Sequence, residues 1–256
     1  MRFATLLLIV STLLAALWAG LIRLGWDWPV IQATLPLAHG PLMVSAFLGA
    51  LVTFERAVAL GRRWVYLGPV VSAAGGLLLA FGTGAARPLG LLLTVLGSGV
   101  LTAAFVVIVR QQWAAYTVTM GIGALAWLVG NLLWAGGRPL YEVVWWWAGF
   151  LILTVAGERL ELGRLTRLPP RAVRVFGAAV GLLLLGQIGV LVDLGVGVRL
   201  TGAALLGLGL WLLRYDIARR TIRRPGLPRF AAWSLLLGYV WLLAAGVLAL
   251  IVGRAT

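Results

Sequence analysis

Nine apolar stretches, each long enough to cross a bilayer, fill almost the whole of this 256-residue chain. A helix needs about 20 predominantly apolar residues to traverse the hydrocarbon core. That criterion predicts spans near residues 3–23, 39–60, 64–84, 88–110, 114–136, 140–160, 173–193, 198–215 and 229–252. A closed β-barrel is the other way to satisfy every backbone group in lipid, but unbroken Leu, Ala, Val and Gly runs lack the alternation of barrel strands. The predicted fold is therefore all-α, a polytopic transmembrane helical bundle forming one integral membrane domain over 1–256. Charged residues make up 11% of the chain, against about 25% for a soluble domain. Too few ionisable groups exist to coat a water-facing globule, so the solvent must be lipid.

The net charge of +14 does not imply nucleic acid, because of where the charges fall. All 21 basic residues are Arg, and they sit in short loops between the apolar runs. Basic loops at helix ends are the orientation signal of membrane proteins. With the N-terminus inside, the inner loops hold sixteen of them, including Arg56, Arg62, Arg110, Arg167, Arg214, Arg219, Arg220, Arg223 and Arg224. The outer loops hold five, namely Arg23, Arg87, Arg138, Arg199 and Arg254. This bias predicts a multi-pass protein of the cell inner (cytoplasmic) membrane with a cytoplasmic N-terminus and an external C-terminus, as an odd span number requires. The first run, Phe3 to Ile22, exceeds the 7–15 residues of a signal-peptide core and reads as a retained span.

Two segments look alike: Leu51-Val-Thr-Phe-Glu-Arg-Ala-Val-Ala-Leu-Gly-Arg62 and Leu153-Thr-Val-Ala-Gly-Glu-Arg-Leu-Glu-Leu-Gly-Arg164. Glu55 and Glu158 are 103 positions apart, and Arg110 and Arg214 are 104 apart. An even number of spans separates the copies, so they share an orientation. The expectation is two parallel four-helix repeats, 1–113 and 114–217, with an extra span at 229–252; parallel repeats about an axis along the membrane normal are known in membrane folds. Neighbouring residues on a helix do not face one another. Glu55 is therefore expected to pair with Arg159 and Glu158 with Arg56, either as an inner gate or as a structural tie, with Glu161 in the same solvated cluster. Small residues spaced as Gly177 and Gly181 are expected to let helix backbones approach closely.

On the opposite face, His39 opens the second span in Leu35-Pro-Leu-Ala-His-Gly-Pro-Leu-Met43, with Met43 one turn below it. The repeat shift places Glu142 at the position equivalent to His39. Asn131, Gln187, Asp193 and Asp27 are the other polar groups near this level, among tryptophans that include Trp26, Trp134 and Trp145-Trp146-Trp147. A shallow outer pocket holding His39, Met43, Glu142, Asn131 and Gln187 is the candidate site; each also has a structural reading, as belt, cap or interhelical hydrogen bond. The chain has no Cys, which excludes thiol catalysis, disulfides and Cys-ligated metal centres. No metal cluster, phosphate loop, dinucleotide fingerprint or catalytic triad is legible.

The segment Ala38-His-Gly-Pro-Leu-Met43 resembles the His-Gly-x-x-Met segment of haem–copper oxidase core subunits and the second-span region of the NnrS membrane proteins, a family linked to nitric oxide metabolism. The match covers about six residues plus their place on the second of nine spans. The resemblance implies haem chemistry, with His39 as an axial ligand to haem b and Met43 or Met120 beside it. One histidine cannot provide a bis-His haem or a His-ligated copper centre, so oxygen or nitric oxide reduction at a haem–copper site is excluded on ligand count. Two functions remain: a binding or accessory protein of a respiratory or haem-handling system, whose outer pocket takes a haem edge or quinone, or a carrier of a small solute or lipid along the repeat interface. An enzyme using Glu142 and His39 as acid and base is a third. Expected partners are the lipid bilayer and either other membrane subunits or further copies of the chain.

Overall fold

The computed structural model describes residues 2–32, 35–166 and 168–253. Arg167 and Arg254, both counted in the charge bias, lie outside the described residues, as does Met1. Among the described residues there is helix and no strand, and nine helices are long and apolar enough to cross a membrane. They are α1 (Arg2–Arg23), α2 (Pro36–Leu60), α3 (Arg63–Phe81), α4 (Ala86–Gln111), α5 (Ala115–Ala135), α6 (Leu140–Leu162), α7 (Pro170–Val192), α8 (Leu194–Tyr215) and α10 (Leu227–Val252). A single-turn helix, α9 (Ala218–Thr221), lies between the last two. The chain is an all-α polytopic helical bundle, as its apolar runs require.

Where the ends move from expectation, a local residue explains the shift. Pro36 and Pro170 start their helices three residues early, because proline at the first helical position gives up an N–H that has no partner there. Helix α8 starts four residues early because the Asp193 side chain accepts from the Val196 N–H at 2.9 Å. Asp193 is thus an N-cap. At the other end of α2, Gly61 takes φ 64° and closes the helix in the left-handed conformation.

Contacts divide the chain into two compact units: Met1–Arg110 with Ala124–Val143, and Gln111–Gly123 with Val144–Thr256. The expected repeats, 1–113 and 114–217, are contiguous in sequence, whereas these units exchange segments within α5 and α6.

In the first unit, α1 packs on α3 and on the middle of α2, burying Ala15, Ala16, Ala19, Leu42 and Ala46 together. Helix α2 is not uniform. Pro41 precedes a π-helical stretch, Leu42–Leu48, before regular helix resumes at Gly49. Proline lacks the N–H that would bond the preceding turn, and a widened turn of this kind re-aims the side chains it carries. Ser45, in the middle of it, is fully buried.

In the second unit, α8 packs against both α7 and α10. Glycine makes the first contact close: a Cβ on Gly197 would lie 2.0 Å from the Val190 backbone nitrogen. Gly202 and Gly246 do the same between α8 and α10. The spacing-based expectation for Gly177 and Gly181 is corrected here. A Cβ at either position meets nothing within 4 Å among the described residues, so they lie on the uncovered side of α7. Trp211 anchors the other end of the α7–α8 pair by donating its indole N–H to the Ala172 carbonyl at 2.8 Å.

Candidate functional site

Four of the five residues expected at the outer pocket belong to the first unit, and their bonds run to different partners. His39 Nδ1 lies 2.8 Å from the Ala16 carbonyl on α1. A carbonyl only accepts, so Nδ1 carries the proton in the neutral ring and Nε2 keeps its lone pair. Gly20 makes room for the ring, since a Cβ there would sit 2.9 Å from two imidazole atoms. Met43 packs against the apolar cluster of Ala16, Ala19 and Leu42. Glu142 forms an ion pair with Arg138, one turn earlier, at 3.3 Å.

Asn131 is buried within a polar relay that reaches the π-helical stretch. The Trp127 indole donates to Ser45 Oγ at 3.1 Å, and Ser45 donates to Asn131 Oδ1 at 2.8 Å. Asn131 Nδ2 donates in turn to the Thr94 carbonyl at 3.3 Å. Gly49 leaves the space that the Trp127 ring fills. The relay joins α2, α4 and α5 and accounts for Asn131 in hydrogen-bonding terms.

Gln187, the fifth residue, belongs to the second unit. Its Nε2 donates to the Trp145 carbonyl at 3.0 Å, and its side chain lies where a Cβ on Gly149 would be. Its Oε1 is buried and accepts no hydrogen bond from the described residues.

The Glu-Arg motifs are placed one in each unit. In the first, Arg56 Nη2 is 3.8 Å from Glu55 Oε2 on the adjacent residue, a pairing of neighbours that helical spacing argued against. In the second, Glu158 and Arg159 lie near the end of α6, and Glu161 pairs with Arg164 at 3.6 Å. Arg164 also donates to the Tyr116 hydroxyl at 2.9 Å and lies over that ring at 4.8 Å.

A cluster of arginines lies elsewhere, in the second unit where α8 ends. A cavity of about 500 Å³ is lined there by Arg214, Tyr215, Asp216, Arg219, Arg220 and Arg223. Leu168 and Pro169, just before α7, complete the lining. The chain reverses at Asp216 and winds through α9, which brings three arginines of one turn to the same cavity as Arg214. Arg219 Nη1 donates to the Arg214 carbonyl at 3.2 Å, fixing one edge of its guanidinium. The Arg214 guanidinium lies over the Tyr215 ring at 5.9 Å, and Tyr215 packs at a tilt against Trp211 at 5.5 Å, which meets Phe176 edge to face.

Asp216 is the only acid among these lining residues, and it is buried, at 4% exposure. Its Oδ1 accepts from the Ala218 N–H at 3.2 Å and its Oδ2 accepts from the Tyr239 hydroxyl on α10. Among the described residues no carboxylate forms an ion pair with any of the four arginines.

Two further concavities lie in the second unit, and the first of them shares residues with this cleft. One, of about 540 Å³, shares Arg214 and Arg219 with it and is otherwise lined by Leu210, Leu213, Ile222 and Leu236. The other, of about 250 Å³, lies along α6, α8 and α10 and includes Leu151, Val155, Leu212 and Tyr239. The sequence reading used these arginines to set orientation, and Arg214 also to support the repeat, and did not weigh Asp216. The signal it passed over is that Asp216 is the sole acid after Asp193 and sits within a run of arginines.

The family model described as Domain of unknown function (DUF8744) matches residues 2–256, and the chain belongs to that family. No curated protein and no solved structure matches it significantly.

Proposed function

We propose that this member of the family is an integral membrane protein that binds an anionic amphiphile, as a lipid carrier or lipid-handling accessory subunit. One observation carries the reading: among the described residues four arginines without carboxylate partners line a single cavity, and two of them, Arg214 and Arg219, also line a shallow, largely apolar depression beside it. Arg offers planar, paired N–H donors that match phosphate and carboxylate oxygens. Like charges crowded around one concavity repel, and an anion seated among them relieves that repulsion. An apolar shelf beside the charges suits a hydrocarbon chain and gives a free ion nothing to bind.

The charge bias of the loops supports a cytoplasmic position for this end of the second unit. Anionic lipids are abundant in that leaflet, and general surface attraction contributes about 1 kcal/mol per basic residue. A built site differs from such attraction by saturating at one ligand per chain. The test is native mass spectrometry of the delipidated protein titrated with phosphatidylglycerol or phosphatidylcholine. Stoichiometric retention of the anionic lipid, weakened in Arg214→Gln/Arg219→Gln, is expected. Equal retention of both lipids rejects the reading.

A second reading is favoured by the His39 geometry. An imidazole whose Nδ1–H is held by a backbone carbonyl presents Nε2 to a ligand, as in metal-bound histidines. Together with the resemblance of residues 38–43, this supports His39 as the residue that would hold haem b through Nε2, or that would donate a hydrogen bond to a quinone carbonyl when Nε2 is protonated. The donor set would offer one nitrogen, from His39; Met43, inside the π-helical stretch, packs against the apolar cluster that includes Ala16, Ala19 and Leu42. A Soret band in the purified protein, lost in His39→Ala, is the expected signature, and a colourless haem-supplemented preparation rules out haem.

A further inference from the structure

We infer that the anion held in the arginine cleft ends in a terminal phosphate, either a phosphomonoester or a diphosphate. This rests on the amphiphile reading above and names its ligand class. The argument begins with charge. Four guanidinium groups and one carboxylate line the cavity. Both oxygens of that carboxylate are already engaged, one by the Ala218 N–H and one by the Tyr239 hydroxyl. Asp216 is therefore a strut that holds the turn onto α10, and it leaves a threefold positive excess in the cleft. A phosphodiester headgroup carries one negative charge and two unesterified oxygens, so most of that excess would remain. A terminal phosphate carries about −1.5 to −2 at neutral pH and three acceptor oxygens, and a diphosphate carries more.

The arrangement of the donors agrees. Arg219, Arg220 and Arg223 come from one continuous turn, which the Ile222 N–H to Ala218 carbonyl bond at 2.9 Å and the Arg223 N–H to Arg220 carbonyl bond at 3.3 Å extend past α9. Arg214 enters from α8. Donors arriving from two elements can reach several oxygens of one group at once, which favours a headgroup with its phosphate at the tip. Arg219 is oriented by the Arg214 carbonyl and Arg214 lies over Tyr215, so part of the cost of ordering these long side chains is already met. The shelf of Leu210, Leu213, Ile222 and Leu236 begins at the same two arginines and would carry the chain of a phosphorylated lipid.

The experiment compares two lipids with identical tails, dioleoyl phosphatidic acid and dioleoyl phosphatidylglycerol, on the delipidated full-length protein in detergent, with inorganic pyrophosphate as a third probe. Phosphatidic acid is expected to bind one to one and about tenfold or more tightly than phosphatidylglycerol, the difference that an additional charge-assisted contact provides. Pyrophosphate is expected to displace it. Arg220→Gln/Arg223→Gln, exposed positions whose folding is checked by circular dichroism, is expected to bring the two lipids to parity. Arg62→Gln/Arg63→Gln, in a different loop, is expected to leave the preference unchanged. Equal affinity of the unaltered protein for the two lipids overturns the terminal-phosphate inference and leaves the amphiphile reading intact. Binding of neither lipid nor pyrophosphate overturns both. Pyrophosphate binding without either lipid keeps the phosphate chemistry and overturns the lipid as its source. Loss of the preference in the Arg62/Arg63 variant assigns it to general surface charge and overturns the inference.

Discussion

The Tyr239 hydroxyl on α10 donates a hydrogen bond to the carboxylate of Asp216, the residue at which the chain leaves α8. Both side chains are buried, and the bond fastens the arginine-bearing turn to the last span. A buried carboxylate that loses a partner keeps its desolvation cost, so Tyr239→Phe is expected to destabilise the protein by about 1.5–3 kcal/mol. Asp216→Asn can keep both contacts, its amide oxygen accepting from the Ala218 N–H and its NH2 donating to the Tyr239 oxygen, and is expected to cost less. Thermal unfolding in detergent, followed by helical circular dichroism, ranks the two. An unchanged midpoint in Tyr239→Phe would show that the bond does not hold the turn.

Glycine positions on α7 and α8 predict opposite outcomes for one chemical change. Gly197→Ala drives a methyl to within 2.0 Å of a backbone nitrogen that cannot move independently. The helices must separate, at a cost of about 3 kcal/mol or more given that overpacking typically costs 1–3 kcal/mol. Gly177→Ala adds a methyl to open space and gains up to about 1 kcal/mol of helix propensity. Unfolding midpoints on either side of the unaltered protein are expected. A destabilised Gly177→Ala would mean that this face of α7 is covered.

These glycines also mark the limit of what the amino-acid pattern reveals. Span number and approximate position were legible because crossing a bilayer demands a length of apolar chain that composition displays directly. Helix ends were legible to within a few residues, and Pro36, Pro170 and Asp193 explain the differences at three helix starts. Which glycines meet a neighbour was not legible, because spacing gives a face of a helix and says nothing of what lies opposite. His39 was found by its rarity, but its Ala16 partner, 23 residues away, depends on how α1 crosses α2. The arginine cleft was hidden for a similar reason. Its residues are visible in a row, yet their convergence depends on the turn at Asp216, whose fastening comes from Tyr239, 23 residues further on. A run of arginines beside a span also has an ordinary explanation as an orientation signal, which masked the more specific one.

Ser45 stands at the junction of the relay in the first unit, accepting from Trp127 and donating to Asn131. Ser45→Ala removes one hydrogen bond from each. Interhelical hydrogen bonds in membrane proteins contribute about 0.6 kcal/mol on average and up to about 1.7 kcal/mol, so a loss of about 1–3 kcal/mol is expected for the two. Asn131→Ala is expected to cost a similar amount, and the double variant less than the sum, since both report on one network. Strict additivity in the double variant would show that the two residues act independently.

The arginine bias makes a topological prediction that the absence of Cys renders simple to test. A single cysteine reports its own accessibility without background. Leu24, at 79% exposure beyond the end of α1, and Arg224, exposed beyond α9, fall on opposite sides of the membrane if the loops follow the charge rule. In intact cells or spheroplasts a membrane-impermeant maleimide is expected to label Leu24→Cys, and to label Arg224→Cys only after permeabilisation. Arg224 lies outside the cleft lining, so its replacement leaves the proposed site intact. External labelling of Arg224→Cys would invert the topology. The arginine cleft would then open on the outer leaflet, and His39 would face the cytoplasm.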